Sequence, residues 1–230
     1  MRPLHMLCPP LTAEEQRELC DRLRFRCEHG HNGISHRRCF DRAERKEERI
    51  GFFDIETHGF NADFGIMLSY CIKVENEDVI LQGLITSRDV RRVEEEDKRL
   101  VRQCVNDMKK FDRLVVYWGK HRRHDIPFVR TRAMSMGVPF LVHREIYVTD
   151  VWDWVKNNLR LERNSQERAC LAILGETDKT RFNGRIWHRA AKGDKECLAT
   201  ILDHNQRDVR DLEKLYHTLL PYVRNTNASI

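Results

Sequence analysis

The 230-residue sequence contains no apolar run approaching the roughly 20 residues that a bilayer-spanning helix requires, which argues against a helical membrane span. Its first residues, Met1-Arg2-Pro3-Leu4-His5, lack the apolar stretch of a secretory signal, so the expectation is a cytoplasmic protein with no membrane partner. Internal repeats and low-complexity tracts are also missing. Neither sign of charge dominates: 41 Lys and Arg face 36 Asp and Glu, a net charge of +5. That balance is compatible with a polyanionic partner without arguing strongly for one. The distribution says more, because His121-Arg122-Arg123-His124, with Arg130 and Arg132, sets positive charge beside Asp125 as a nuclease surface would. At this length one substantial domain, or one with a small appendage, can build its core without disulfides.

Eight cysteines are therefore poor evidence for disulfides in a reducing compartment, and they are unevenly spread: Cys8, Cys20, Cys27 and Cys39 fall in the first forty residues. Cys8-Pro9-Pro10 reads as a breaker, and Thr12 with Glu15 as a capping box that opens a helix to about Arg26. From Cys27 to Cys39 two cysteines and three histidines share thirteen residues with turn-forming glycines. Thiolate and imidazole are the ligands of tetrahedral zinc. The expected set is Cys27, His29, His36 and Cys39, with His31 or Cys20 as substitutes and one structural zinc ion as the cofactor. The spacing matches no standard finger pattern. A polar loop with cysteines as fillers is the plain alternative, and a His-Asn-His nuclease centre lacks its strand and helix context.

The mixed-charge stretch Asp41 to Arg49 reads as a solvated connection. Three strands are expected next, at Arg49 to Thr57, Gly65 to Val74 and Asp78 to Thr86, with turns short enough for an antiparallel meander. Val93 to Phe111 carries apolar residues at helical spacing, and Arg113 to Trp118 is a short buried strand. A helix from about Asp125 to Met136 stops at Gly137. Another strand, Glu145 to Thr149, leads into a helix from Asp150 to Asn158. Ser165 to Leu174 and Lys195 to Tyr222 complete the helices, and Asn225 to Ile230 is a frayed tail. The expected division is 1–48 for the zinc-binding segment, 49–224 for the main domain and 225–230 for the tail.

The main domain centres on Gly51-Phe52-Phe53-Asp54-Ile55-Glu56-Thr57. Two acids within an apolar run are costly to bury without a cation. Alternation along a strand points Asp54 and Glu56 to one face and Phe53 and Ile55 to the other. Such a pair suits a hard divalent ion that takes further carboxylates from elsewhere. Asp125 precedes Ile126-Pro127, and His204 and Asp208, four apart, share one face of a long helix. Four acids can hold two magnesium or manganese ions roughly 3.5 to 4 Å apart, and His204 can orient a water or take its proton. The bland readings are an edge-strand surface for Asp54 and Glu56, a helix cap for Asp125 and a solvated helix face for Asp208. Asp150 and Asp153 also start a helix after a strand and either could take the place of Asp125, with Asp150 the outside candidate.

Phe53-Asp54-Ile55-Glu56-Thr57 resembles the first motif of the DnaQ-like (DEDD) 3′–5′ exonucleases. Asp125-Ile126-Pro127-Phe128 is similar to their second motif, and His204-Asn205-Gln206-Arg207-Asp208-Val209 to their third. The likeness runs from about residue 50 to 222 and is nearest the subgroup related to the exonuclease domain of family B DNA polymerases, frequent in phages and prokaryotes. It implies an α/β ribonuclease H-like fold, a mixed sheet flanked by helices, with Asp54, Glu56, Asp125 and Asp208 as ligands of two metals. It also implies a DNA or RNA substrate with single-stranded 3′ ends and a possible polymerase or replication and repair partner. Where that family commonly has an upstream Asn and an aromatic residue before the second acid, this chain has Trp118-Gly119 and His124. The third motif usually carries Tyr four residues, or His five residues, before its acid; here His stands at four. A ribonuclease H-type or junction-cutting endonuclease and a catalytically silent nucleic-acid-binding module are the competing readings. Arg37 and Arg38 could grip phosphates beside the zinc segment.

Overall fold

The computed structural model describes residues 11–27, 29–45, 48–92, 96–177 and 183–223, and the chain divides into two compact units, 1–48 and 49–230. The Cys8-Pro9-Pro10 breaker, Val93 at the start of the helix expected to run to Phe111, the Arg38 side chain and the Asn225–Ile230 tail lie outside the described residues.

In the first unit, α1 (Ala13–Arg24) begins as expected: Thr12 and Glu15 exchange both capping-box hydrogen bonds. Residues 41 to 45, read from sequence as a solvated connection, belong instead to a second helix, α2 (Arg37–Arg45). Its one buried apolar anchor is Phe40, which meets Phe25 edge-on at 5.4 Å and lies beneath the Arg22 guanidinium. A nine-residue helix with a single such anchor leaves little periodicity to read.

The second unit is built on a five-stranded sheet in the order β3-β2-β1-β4-β5. Strands β1 (Ile50–His58), β2 (Ile66–Val74) and β3 (Ile80–Leu84) form the antiparallel meander expected from their short turns. Strands β4 (Arg113–Val116) and β5 (Tyr147–Asp150) add parallel to β1. Helices cover both faces. Phe53 and Ile55 of β1 join the apolar cluster containing Leu100, Val105 and Met108 of α4 (Lys98–Met108) and Ile126 and Val129 of α5 (Asp125–Ser135). Phe52, Cys71 and Val115 face Val155 of α6 (Val151–Asn158), Cys170 of α7 (Gln166–Ile173) and Val209 to Leu219 of the 25-residue α9 (Lys195–Leu219). Phe52 and Phe53 thus alternate between two cores, as a central strand requires.

Two short helices escape sequence patterning, α3 (Ser87–Val90) and α8 (Arg185–Ala190). Helix α3 is capped by Thr86 and Asp89, and the expected helix after it starts at Lys98. Asp97 stands at that start but spends its carboxylate elsewhere: it accepts the Met67 N–H at 2.7 Å and pairs with Arg132 at 2.6 Å. This buried pair ties α5 to β2.

Candidate active site and Cys/His centre

Parallel strands β1 and β4 run side by side, so their carboxyl ends open at one edge of the sheet. Asp54 and Glu56 lie there, on the face that carries Phe52. Both are partly buried, and a register shift between Glu56 and Thr57, opposite Leu68, marks an irregularity in the β1–β2 ladder, which continues to His58 and Ile66. Asp54 is paired with Cys71 on β2. Burial pushes the Cys71 thiol far above its ordinary range, and the Asp54 charge adds to this; Arg210 opposes, and Glu56 and Asp208 add further.

Helix α9 delivers the other side chains. Its Asn205 amide donates to Ser69 Oγ at 3.2 Å and to the Asp54 carbonyl at 3.4 Å, while Lys73 pairs with Glu213 one and a half helical turns past Asp208. Gln166 of α7 donates to the Asp208 carbonyl at 2.7 Å. With the helix pinned in this way, His204 Nε2 stands 3.6 Å from Glu56 Oε1 and 3.7 Å from Asp208 Oδ2. Glu56, His204 and Asp208 form a tight group whose ligand atoms lie within 4.8 Å of one another. The solvated-face reading of Asp208 does not hold, since the residue is 4% exposed.

Asp54 and Asp125 are not in that triplet. Asp54 stands one strand repeat behind Glu56 on the same face. Asp125 is the first residue of α5 rather than its cap, a place taken by His124 without a side-chain cap bond. Its carboxylate is buried below the turn that leaves β4: a Cβ on Gly119 would collide with Asp125 Oδ2, and the Ile126 N–H is bound by the Gly119 carbonyl at 2.9 Å. Glycine at 119 is what lets the carboxylate lie there.

Asp150, the outside candidate for the place of Asp125, has a different task. Its oxygens accept the N–H groups of Trp118 at 2.8 Å, Lys120 at 3.0 Å and Trp152 at 3.0 Å, and it pairs with Arg123 at 2.5 Å. Burial raises its pKa, with Arg123 opposing. Arg123 also pairs with Asp153. These acids fasten the 118–123 turn and cap α6.

Sequence reasoning missed Trp187. On α8 its indole N–H donates to Glu56 Oε2 at 2.9 Å, and its ring meets His204 edge-on at 6.1 Å. The six-residue helix that carries it leaves no periodic signature.

A model of the RNase H superfamily matches residues 51–220. The chain belongs to that superfamily. No curated protein matches the chain. The match begins at β1 and ends within the last turn of secondary structure, so it takes in the sheet and every acid named above. A nuclease-like domain of the RNase H superfamily implies a nucleic-acid substrate and divalent metal, and the carboxylate oxygens of Glu56 and Asp208 fit a hard cation. No helix among the described residues is long and apolar enough to cross a membrane.

Residues 11–45 lie outside the matched region and hold a second ligand cluster. Cys27, His29, His36 and Cys39 bring their ligand atoms within 4.8 Å of one another and could bind zinc. The separations are selective. Cys27 Sγ is 3.6 Å from His29 Nδ1 and 3.4 Å from His36 Nδ1, and Cys39 Sγ is 3.9 Å from each. Zn–S and Zn–N bonds of about 2.3 and 2.05 Å at a tetrahedral angle place sulfur and nitrogen about 3.6 Å apart. The substitutes His31 and Cys20 are exposed and outside the group, although the His31 ring lies 4.1 Å from that of His36.

Proposed function

We propose that the second unit is a metal-dependent 3′–5′ exonuclease that hydrolyses phosphodiesters of DNA or RNA. The observation that carries this reading is the convergence of Glu56, His204 and Asp208 on the face of β1 that also carries Asp54, with Asp125 next to His124, whose Nε2 lies 3.2 Å from the Thr57 hydroxyl. Asp54, Glu56, Asp125 and Asp208 would hold two magnesium or manganese ions. Bound there, such ions would supply an activated water and stabilise the leaving oxygen. His204, 3.6 and 3.7 Å from two of the acids, is placed to orient the attacking water or accept its proton. Trp187 and Asn205 hold the positions of Glu56 and of the β1–α9 contact. The resemblance of the three motifs to the DnaQ-like exonucleases favours removal of nucleotides from 3′ ends over internal cutting. A polymerase or another replication or repair factor would be a fitting partner.

Digestion of end-labelled linear strands and of covalently closed single-stranded circles, DNA and RNA in parallel, tests the reading. The expected outcome is a ladder shortening from the 3′ end with magnesium or manganese, intact circles, and no products from Asp54→Ala. Cut circles would establish an endonuclease instead. No metal-dependent cleavage of any strand would leave a binding module.

The same proposal gives the first unit one structural zinc ion, held by Cys27 and Cys39 through sulfur and by His29 and His36 through Nδ1. The four sulfur–nitrogen separations support it. Elemental analysis of purified protein should find one zinc per chain, lost in Cys27→Ala. Metal-free protein with both thiols freely reactive would overturn it.

A further inference from the structure

Helix α9 carries a polar side chain where its pattern calls for an apolar one. Leu198, Ile201, Asn205, Val209, Leu212 and Tyr216, three or four residues apart, form the seam that α9 lays against the sheet, and all six are buried. Leu198 and Ile201 belong to one apolar cluster, and Val209, Leu212 and Tyr216 to the other. Asn205, 0% exposed, stands between them.

An asparagine in that place works against stability. Its amide is withdrawn from water, and Oδ1 has no hydrogen-bond partner among the described residues. Nδ2 is the half that is used, donating to Ser69 Oγ at 3.2 Å and to the Asp54 carbonyl at 3.4 Å. The reversed amide would set an acceptor against that carbonyl, which itself can only accept. A polar group kept at such a cost inside an apolar seam marks a position selected for something other than stability.

The two contacts reach the strand positions that matter. One is the backbone of Asp54 itself. Ser69 lies opposite Glu56 in the β1–β2 register, and cross-strand partners share a face. On the helix, Asn205 follows His204 directly and precedes Asp208 by less than one turn. One amide therefore ties the turn of α9 that bears His204 and Asp208 to the strand positions that bear Asp54 and Glu56. Leucine and valine pack in several neighbouring registers, whereas a lone buried asparagine specifies one, the best-attested use of a polar residue in an apolar seam. The tolerance is small. A slip of α9 by one residue moves Asp208 about 1.5 Å along the helix axis, against the roughly 3.5 to 4 Å between two ions that share carboxylates.

We propose that Asn205 is a positioning residue that sets the axial register of α9 on β1 and, through it, the separation of Asp208 from Asp54 and Glu56. The proposal rests on the nuclease reading, and it gives a residue outside the ligand set control of the spacing between the two ions. Trp187, by contrast, fixes one oxygen of one carboxylate.

The test adds two equivalents of manganese to the full chain and records the electron paramagnetic resonance of the frozen solution, beside a calorimetric titration and a melting curve. Two manganese ions at that spacing couple magnetically and lose the six-line signal of an isolated ion. The wild type should show the coupled spectrum. Asn205→Ala should show the isolated signal and bind the second ion roughly 10- to 100-fold more weakly, with a melting temperature close to that of the wild type. Ser69→Ala, which removes one acceptor and leaves Asn205 in place, should move the spectrum in the same direction with a smaller loss of affinity. If Asn205→Ala melts well below the wild type, Ser69→Ala decides. A coupled pair of wild-type affinity in the deciding variant would overturn the positioning role; metal-dependent cleavage by the wild type would then leave the nuclease reading standing. A wild type that forms no coupled pair would overturn both the positioning role and the two-metal site.

Discussion

In residues 11–45, α1 buries no side chain, and Gly33 and Phe40 are the two buried residues among those described. In residues 49–223, two apolar clusters fill both sides of a sheet, and Phe52, Phe53, Tyr70, Phe111 and Leu114 are wholly enclosed. Each unit gathers metal-ligand side chains, but on different foundations. In the first, Cys27, His29, His36 and Cys39 bring the segment after α1 together with α2, where the other described residues bury little. In the second, the core exists without the acids and carries them. A ligand side chain should therefore matter to folding in the first unit and to activity in the second.

The largest effect should appear in the first unit. Zinc sites of this kind contribute apparent free energies of about 10–16 kcal/mol to folding, so Cys39→Ala should abolish slow amide exchange across α1 and α2. The main melting transition, that of residues 49–223, should stay in place. Loss of both units together would break the contrast. In the second unit Asp208, on α9, and Phe53, on the face of β1 opposite Asp54, make the opposite case. Asp208→Asn, which removes a ligand of the proposed metal site, should lower cleavage by more than the roughly 10–100-fold that loss of a ligand's orienting partner costs, with a melting temperature unchanged or raised. Phe53→Ala, on the other face of β1, should destabilise by about 3–5 kcal/mol in a denaturant titration, because it empties a fully buried position.

A smaller effect is expected from Trp187→Phe, which removes the N–H that fixes Glu56 Oε2 while keeping an aromatic ring. Partners that orient a ligand are worth 10–100-fold in metal affinity, so calorimetric titration with manganese should show a weakening in that range. An unchanged affinity would mean that Glu56 needs no such support. The smallest effect concerns Asp89. Burial would raise its pKa, but Arg99 and the hydroxyl and N–H of Thr86 outweigh it and hold the carboxyl at about 2, below its ordinary 3.8. A depressed pKa means stability that is present above pH 3.8 and lost as pH falls towards 2. The melting temperature of the wild type should exceed that of Asp89→Asn at neutral pH, and the gap should close across that window.

Much of this contrast was legible because it is local in sequence. Alternation along Phe53-Asp54-Ile55-Glu56 gives the two faces of β1, and the spacing of His204 and Asp208 gives one face of α9, without reference to anything distant. The Cys/His segment is equally local, with its four ligands inside thirteen residues. The misses have the opposite character. Asp150 resembles a site acid because its partners Trp118, Lys120 and Arg123 lie about thirty residues upstream, and only the fold shows that they consume its oxygens. Trp187 sits 131 residues from the carboxylate it holds, on a helix too short to leave a pattern. Helix α2 was hidden because its first residues, through Cys39, belong to the Cys/His segment and the charged run from Asp41 reads as a solvated connection. Motif residues can be read from a sequence, whereas the groups that position them cannot when they come from elsewhere in the chain.

The most direct test of the central claim is the anomalous diffraction of crystals soaked in manganese. The account predicts density in contact with the carboxylates of Asp54, Glu56, Asp125 and Asp208, in two peaks roughly 3.5 to 4 Å apart, separate from any zinc signal at Cys27 and Cys39. Manganese that touches none of these four carboxylates, or that leaves Asp54 and Asp125 without a metal, would contradict it.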